Sequence, residues 1–400
     1  MHFRTSSEDE AFRREVRDFL RTHLPDDIAR DVARWVNPTM ANYRRWQRIL
    51  WERGWGAPHW PPQYGGTDWS ALRKHIFMQE IHAANAPDFG WQGTHLLAPV
   101  LIAFGSEELK ARFLPPILRG EEVWCQGFSE PGAGSDLANL KTSAVLDGDH
   151  YVIRGQKIWT SDAPDADWGF FLVRTDPTVK AQRGVSFILT PMSAPGVTVR
   201  PIRSIDGRAE LAEVFLDEVR VPRRYLVGEP GKGWTYAKYL LEKERTSSAF
   251  LYFNRRQLER AKAIAAAIEV QGRRLLDTPG FALKVARIEA DLIALEWSVL
   301  RILGGEKNRH NLDAVVSALK IRGSEMQQRV TDLQMEALGP LGTRFFSPAR
   351  ESRAAEAESA GWPEYALGPA AGFLFQRAAT IYGGAREVQK NIIAKLEFGR

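Results

Sequence analysis

One stretch of the chain combines residue types that are suited to binding a ligand. It is WCQGFSEPGAGSDLANLKTSAVLDGDHYVIRGQKIWTS, at 124–161. It contains a glycine-rich turn, GAGSD at 132–136, and a tryptophan followed by two hydroxyl residues, WTS at 159–161. Glycines let backbone N–H groups approach a ligand closely, and short hydroxyl side chains add hydrogen bonds. An indole can also lie flat against a planar ring. The stretch therefore predicts a site for a planar ligand that carries polar groups.

A second candidate is a carboxylate on a helix that starts near Trp234. Glu244 falls on one stripe of this helix, which is otherwise apolar or small: Trp234, Ala237, Leu241, Glu244, Ser248, Leu251. Burial disfavours the charged form and raises the pKa of a carboxylate, as a general base working near neutral pH requires. A buried ion pair with a neighbouring arginine is the structural alternative.

Composition and charge narrow the class of protein. The 400 residues exceed one ordinary hydrophobic core, which predicts two or three subdomains. A net charge of +5 suits an anionic small ligand, and no basic run resembles a nucleic-acid tail. One cysteine, Cys125, allows no intrachain disulfide, and the eight histidines show no metal-ligand spacing, so no metal is expected.

The start of the chain, MHFRTSSEDEAFRREV, carries acidic residues from Glu8 and no apolar core segment. It resembles neither a signal peptide nor a transit peptide. No apolar run reaches about 18 residues, so no membrane span is expected. The sequence predicts a cytoplasmic protein.

The spacing at which apolar residues recur along the chain predicts three parts. They are an all-helical part (1–122), a β part (123–230) and a helical bundle (231–400). A capping box at Ser7–Glu10 starts the first helix. Further helices are expected at 43–53, 70–84, 87–104, from Ser106 to the prolines at 115–116, then at 233–270, 283–304, 312–337, 370–381 and 385–397. Six strands are expected at 143–146, 151–154, 168–174, 185–189, 197–202 and 214–221. The segment 347–369 is predicted to be irregular.

The pattern SEPGAGSD followed by GQKIWTS closely resembles the flavin-binding signature of the acyl-CoA dehydrogenase family. The likeness extends to GWGAPHWPPQYGG, VFLDEVRVP, VGEPGKGW and IYGGAREVQKNIIAK, and so covers almost the whole chain. It implies an N-terminal helical domain, a central small β-barrel and a C-terminal antiparallel helical bundle. It also implies FAD-dependent α,β-dehydrogenation of an acyl-CoA thioester to the 2,3-enoyl-CoA, in fatty-acid, branched-acyl or sterol-side-chain catabolism.

The resemblance assigns flavin contacts residue by residue. One side of the flavin would be lined by Gln126, Phe128, Ser129, Gly132 and Ser135, and the isoalloxazine edge covered by Trp159, Thr160 and Ser161. The adenylate half would be met across a subunit interface by Gln334, Leu338, Gly339, Ala385 and Glu387. The R-x-x-F-G motif common in the third domain has only a partial match here, Arg273 or Arg274 with Gly280-Phe281.

The predicted catalytic base is where this chain departs from the commonest pattern of the family. Many members carry a glutamate after the tyrosine of IYEG, but this chain has IYGG at 381–384, and Gly383 cannot accept a proton. The alternative position of the family falls on Glu244. Substrate contacts are implied for Ser135, Arg245 and Gly384; Arg245 could equally be a surface charge.

The resemblance also implies partners. Electron-transfer flavoprotein would accept the electrons, and the assembly would be a homotetramer or dimer, or a heterotetramer of two different chains. Two other functions stay open: a non-catalytic partner subunit that keeps the fold, and a flavin oxidase or monooxygenase on the same fold. Retention of both SEPGAGSD and Glu244 argues against the first, and oxygen consumption without an acyl-CoA would reveal the second.

Overall fold

The computed structural model describes residues 6–87, 90, 92–247, 249–304, 311–346 and 361–399. Within 242–247 it describes the backbone but not the side chains. Most of the predicted irregular segment 347–369 therefore lies outside the described residues. In the described part of the chain, no helix is both long enough and apolar enough to cross a membrane.

The first part of the chain is helical, as the sequence predicts. Its helices are α1 (Ser7–His23), α2 (Asp26–Ala33), α3 (Met40–Glu52), α4 (Ala71–Ala83), a π-helix (Gln92–Leu97), α5 (Ala98–Phe104) and α6 (Glu107–Arg119). The capping box lies one residue earlier than predicted. The Asp9 N–H donates to Ser6 Oγ, and the Ser6 N–H donates to Asp9 Oδ2, both at 3.1 Å.

Two predicted helix boundaries in this part are wrong. The helix expected at 87–104 is instead a π-helix that leads into α5, because Pro99 has no N–H to continue the regular ladder. Helix α6 does not end at its two prolines but continues to Arg119, where Gly120 closes it in the left-handed conformation. Burial of Pro116, Ile117 and Leu118 holds this last turn in place.

The middle of the chain forms one curled sheet where a small barrel was expected. Its strands are β1 (Trp124–Gly127), β2 (Ser143–Asp147), β3 (His150–Ser161), β4 (Trp168–Arg174), β5 (Val185–Pro191), β6 (Val197–Ile202) and β7 (Leu211–Pro222). The order is β1-β4-β2-β3-β7-β6, with β5 added to β4. Strands β1 and β4 are parallel, whereas β4–β5, β2–β3, β3–β7 and β6–β7 are antiparallel.

Strand β4 shows how the sheet joins the helices. Phe170 and Leu172 face a core shared with the N-terminal helices and with α7, while Phe171 and Val173 face the inside of the curled sheet. Both faces of the strand are buried, so it is a continuous apolar run rather than an alternating one. The N-terminal helices and α7 therefore pack against one face of this sheet.

The last part of the chain is a helical bundle. It contains α7 (Gly233–Ser247), α8 (Leu251–Ala267), a small hairpin of β8 (Glu269–Val270) and β9 (Arg273–Arg274), α9 (Pro279–Leu303), α10 (Leu312–Leu338), α11 (Pro369–Gln376) and α12 (Arg386–Phe398). Helix α10 packs against α8, α9, α11 and α12. The sequence missed α2, β1 and the hairpin. The domain boundaries at 122/123 and 230/231 stay predictions.

The single helix predicted at 233–270 is wrong. The chain turns between α7 and α8, where Phe250 has a left-handed φ of 49°. Gly323 of α10 lies directly beneath this corner: a Cβ atom there would come within 2.1 Å of the Ala249 carbonyl oxygen. The stripe that carries Glu244 therefore ends with α7 and does not extend to Leu251.

We predict that Gly323→Ala destabilises the protein by roughly 1–3 kcal/mol, because the added methyl must displace backbone at the α7–α8 corner. Gly280→Ala is the matched control. Gly280 also lies in a helix, but nothing lies within 4 Å of its Cβ position among the described residues. Its substitution should leave stability unchanged or raise it by about 0.5 kcal/mol. Urea unfolding of both variants measures the difference; equal midpoints would disprove the close contact.

Candidate functional site

The glycine-rich turn is closed by its own backbone. The Glu130 N–H donates to the Ala133 carbonyl at 3.1 Å, and the Ala133 N–H donates back to the Glu130 carbonyl at 3.0 Å. Gly132, inside this closed turn, and Gly134 and Ser135, just after it, are exposed to solvent. Cβ atoms placed on Gly132 or Gly134 would meet no described atom within 4 Å, so the space over the turn is open. The turn thus presents bare backbone to whatever approaches it.

A buried ion pair fixes this turn against β3. Lys157 is fully buried, and its Nζ donates to Glu130 Oε1 at 2.8 Å and to the Phe128 carbonyl at 3.1 Å. Glu130 Oε1 also accepts the backbone N–H of Thr142 at 2.9 Å, and Oε2 accepts the backbone N–H of Lys141 at 2.6 Å. One carboxylate therefore joins three segments: the turn, the chain before β2, and β3.

The ionisation of this pair follows from its surroundings. Burial opposes the charge on Glu130, but the Lys157 ammonium and the hydrogen bonds outweigh it and hold the pKa of Glu130 below its usual value. Burial also lowers the pKa of Lys157, to about 8, although Glu130 favours its charged form. The carboxylate stays ionised at neutral pH.

Trp159, near the end of β3, is unusual in its exposure and in its backbone conformation. Its side chain is 58% exposed, and its backbone has a left-handed φ of 61° at a register shift between β3 and β7. Both properties are unfavourable for a tryptophan on its own, since a bulky residue rarely adopts positive φ and an exposed indole forgoes burial. Strain of this kind concentrates at ligand sites. The Ile158 N–H donates to the Ser129 carbonyl at 3.0 Å, which keeps Trp159 next to the glycine-rich turn.

The structure brings together most of the residues predicted to line a flavin, and two of them are buried in it. Phe128 is buried between Phe170 and Phe187, with ring centroids 5.8 and 6.0 Å away, so its side chain belongs to the core. Thr160 is 1% exposed, and its Oγ1 has no hydrogen-bond partner among the described residues. The predicted flavin contacts of both residues stay predictions. Gln126 and Ser161 are half-buried and remain accessible.

These features fit a flavin. The exposed indole can cover a planar ring, and the open turn can approach a phosphate or ring edge through its N–H groups. Gln126, Ser129, Ser135 and Ser161 would supply polar contacts around the ring. The alternation along β3 explains why only part of the WTS triplet faces outward.

The second half of the site lies where α7 ends. Tyr236, Ala237 and Leu240 of α7 are buried in the core shared with the sheet. Glu244 follows Leu240 by four residues, which places it on the same helical face; the side chains of Glu244 and Arg245 lie outside the described part. Beyond α7, the ring of Phe250 meets the edge of Tyr382 at 6.4 Å.

The backbone conformation of the turn after Tyr382 depends on its two glycines. Gly383 and Gly384 have φ values of 64° and 90°, which a residue other than glycine adopts with strain. The buried Lys320 supports this turn from α10, since its Nζ donates to the Ala379 carbonyl at 3.0 Å. The predicted base and the predicted substrate contact at Gly384 thus belong to neighbouring segments.

The residues predicted to meet an adenylate group are divided between core and surface. Gln334 is buried and donates to the backbone and side-chain oxygens of Gln257 at 2.7 and 2.9 Å. Leu338 is buried as well, whereas Gly339 and Glu387 are exposed and Ala385 caps the start of α12. Contacts of Gly339, Ala385 and Glu387 with a second subunit remain a prediction. The predicted adenylate contacts of Gln334 and Leu338, which are buried within this chain, remain predictions as well.

The sequence interpretation missed the Glu130–Lys157 pair. The signal was present, because an acid in SEPGAGSD and a lysine in GQKIW both lie among apolar or small neighbours. Charged residues in such surroundings are expected to pair. The strand register that brings them together was not readable from the motifs.

Comparison with known proteins supports the same assignment over the whole chain. Family models of the N-terminal, middle and C-terminal domains of acyl-CoA dehydrogenase match residues 6–121, 125–219 and 231–397. Acyl-CoA dehydrogenase IpdE1 of Mycobacterium tuberculosis is 35% identical over 397 residues, covering 98% of this chain and 97% of that protein.

Solved structures agree. The ChsE4-ChsE5 complex from Mycobacterium tuberculosis is 31% identical with a TM-score of 0.83, covering 100% of this chain and 99% of the other. The Tcur3481-Tcur3483 steroid ACAD is 30% identical with a TM-score of 0.84 and the same coverage. The fold and site define a flavoprotein oxidoreductase. The chain belongs to the acyl-CoA dehydrogenase family, which confirms the predicted fold and enzyme class.

We predict that Lys157→Met destabilises the protein by roughly 3–5 kcal/mol and reduces retained flavin, because Glu130 is left buried without its counter-ion. Adding Glu130→Gln should recover much of the loss, since it removes the stranded charge. Thermal unfolding and flavin absorbance of the purified variants measure both effects.

The control is Arg154→Met on the same strand, whose ion pair with Glu218 at 2.6 Å is exposed. Loss of this exposed ion pair should lower the free energy of unfolding by less than about 1 kcal/mol. Equal costs for Lys157→Met and Arg154→Met would contradict the role given to the buried pair.

Proposed function

We propose that this chain is a FAD-dependent acyl-CoA dehydrogenase that oxidises the α,β bond of an acyl-CoA thioester, with Glu244 as the base. The observation that carries the proposal is Trp159, exposed and strained beside an open glycine-rich turn. When bound, FAD would accept a hydride from the β-carbon. Trp159 would cover its ring and exclude water, while Gln126, Ser129, Ser135 and Ser161 would orient it.

The proton from the α-carbon needs an acceptor on the protein. Glu244 is a carboxylate on the helical face of α7 that carries the buried Leu240, and the corner that follows α7 contacts Tyr382 through Phe250. The turn itself offers none, because glycine occupies 383 and 384. Arg245, next along the helix, would hold the thioester or orient the base, and Ser135 and Gly384 would contact the substrate.

The proposed substrates are acyl-CoA thioesters that carry branched or ring-bearing chains. Support comes from the neighbouring structures, one of which is named as a steroid ACAD. The proposed electron acceptor is an electron-transfer flavoprotein, as the family resemblance implies.

We infer an oligomer built through α9. Its outward face carries Leu283, Ile293 and Trp297, which are 53%, 50% and 43% exposed, with alanines between them. Residues at this spacing share one face of a helix, and such a stripe is unfavourable in water unless another helix covers it. Both neighbouring structures are named as pairs of chains. A second, different chain is therefore one form of the proposed assembly.

We expect Glu244→Gln to keep the fold and the flavin but to slow flavin reduction by roughly 10²–10⁴-fold, the usual contribution of a positioned general base. Anaerobic bleaching of the flavin by a panel of acyl-CoA thioesters is the measurement. Glu242→Gln is the matched control, since position 242 lies on a different face of the same helix. Unchanged bleaching by Glu244→Gln would remove the base assignment.

We further expect Ile293→Glu to shift the assembly toward smaller species at micromolar concentration, because a charge in the covered stripe is costly. Light scattering coupled to gel filtration measures the mass. Ile205→Glu is the control: Ile205 is 70% exposed but lies in the β part. If the parent chain is monomeric both alone and with a co-expressed related chain, the proposed interface does not exist.

A further inference from the structure

A polar cluster around His75 joins α4 to α8 and α9. His75 is 4% exposed. Its Nδ1 lies 3.0 Å from the hydroxyl oxygen of Tyr252 on α8, and its Nε2 lies 3.3 Å from Glu296 Oε1 on α9. Tyr252 comes two residues after Phe250, where the chain turns from α7 into α8. One imidazole therefore links the N-terminal helices to the bundle at the start of α8.

Glu296 determines which nitrogen of His75 carries hydrogen. Burial opposes the charge of Glu296, but the hydrogen bond from His75 and the Arg255 guanidinium outweigh it and hold the pKa of Glu296 below its usual value. An ionised carboxylate only accepts hydrogen bonds, so Nε2 is the nitrogen that donates to it. In the neutral imidazole, Nδ1 is then an acceptor for the hydrogen bond from the Tyr252 hydroxyl.

The start of α8 is also fixed by polar contacts to two further helices. Asn254, which is fully buried, donates through Nδ2 to the Gly323 carbonyl of α10 at 3.0 Å. Arg255 forms an ion pair with Glu296 of α9. Buried polar contacts permit few geometries, because a displacement leaves a donor or an acceptor unpaired. Together with the contact of Tyr252 to α4, they hold the corner before α8 in one position.

We propose that His75 is a positioning residue for Glu244. By holding Tyr252, it fixes the corner at which α7 ends, and α7 is the helix that carries Glu244. The inference rests on the proposed function, in which Glu244 accepts the α-proton. Phe250 of the same corner meets the ring of Tyr382, so the corner also sets the distance between α7 and the 382–384 turn.

The effect should appear in the chemical step and not in binding. A misplacement of about 1 Å at a reacting group can slow a reaction by on the order of 100-fold. Loss of the contact between His75 and Tyr252 removes one of several contacts at the start of α8. We therefore expect a smaller effect, roughly tenfold, on the rate of flavin reduction.

Three variants separate the two nitrogens of the imidazole. Tyr252→Phe removes the hydroxyl alone. His75→Gln keeps a donor near the position of Nε2 but none near Nδ1, whereas His75→Asn keeps a polar atom near Nδ1 and loses the one near Nε2. Tyr252→Phe and His75→Gln should each slow flavin reduction by roughly tenfold, and His75→Asn should stay within about threefold of the parent protein.

Anaerobic stopped-flow absorbance of the FAD-loaded protein measures the rate of flavin reduction. The probe is the thioester that bleaches the parent protein fastest in a panel that includes cyclohexylpropionyl-CoA. Its Kd, measured by calorimetric titration, should stay within about twofold in all three variants, because the contact acts on the base.

Gln47→Leu is the control for loss of stability alone. Gln47 is buried in the N-terminal helices, and its Nε2 donates to the carbonyls of Gly56 and Leu118, both at 2.8 Å. The variant should unfold at a lower temperature than the parent protein, as His75→Gln should, but reduce its flavin within about twofold of the parent rate. If the rate instead follows the unfolding temperature across all four variants, His75 has only a structural role and the proposal is wrong.

Amide hydrogen exchange of the FAD-loaded protein tests the corner without any substrate. Peptides that cover 249–258 should exchange about fivefold faster in Tyr252→Phe and His75→Gln, and at the parent rate in His75→Asn and Gln47→Leu. Parent-like exchange and parent-like reduction in Tyr252→Phe would overturn the proposal. If no thioester bleaches the parent protein, the proposed dehydrogenation fails, and the exchange rates alone decide whether His75 holds the corner.

Discussion

The Glu130–Lys157 ion pair is the interaction on which the candidate site depends. It is buried, and its carboxylate accepts hydrogen bonds from the lysine and from two backbone N–H groups. A buried pair of this kind adds little net stability over an apolar pair, but it permits one geometry, since any displacement leaves a charge unpaired. That geometry joins the glycine-rich turn to β3. The exposed Trp159 is consequently held beside open backbone, where a planar ligand fits.

A second constraint acts at the junction of the helical parts. Gly323 allows α10 to approach the α7–α8 corner, and Phe250 then meets Tyr382. On the other side of the bundle, the buried guanidinium of Arg260 donates to the carbonyls of Ala33 and Leu367. Burial lowers the pKa of Arg260 to about 10, which leaves it charged at neutral pH. The Arg260 contacts join α8 to the end of α2 and to the chain that precedes α11.

Trp159 combines two unfavourable features at the surface assigned to the flavin. Its backbone has a positive φ, and its indole is exposed. The apolar core against the sheet is closely packed, as the stacked rings of Phe170 and Phe187, with centroids 5.5 Å apart, illustrate. Local costs of this kind persist because the surrounding fold is stable enough to enforce them, and a bound ligand would offset them.

The sequence by itself determined the class of fold and the location of the turn, since glycine spacing, hydrophobic period and short motifs are local properties. It also placed Glu244 on an inward-facing stripe of α7, a helix that the structure contains. Only the tertiary structure decided that Thr160 and Phe128 are buried, that Gln334 donates to Gln257, and that α7 ends before Phe250. It alone brought Lys157 to Glu130. These outcomes depend on strand register and on contacts between residues far apart in the chain, which a local pattern does not encode.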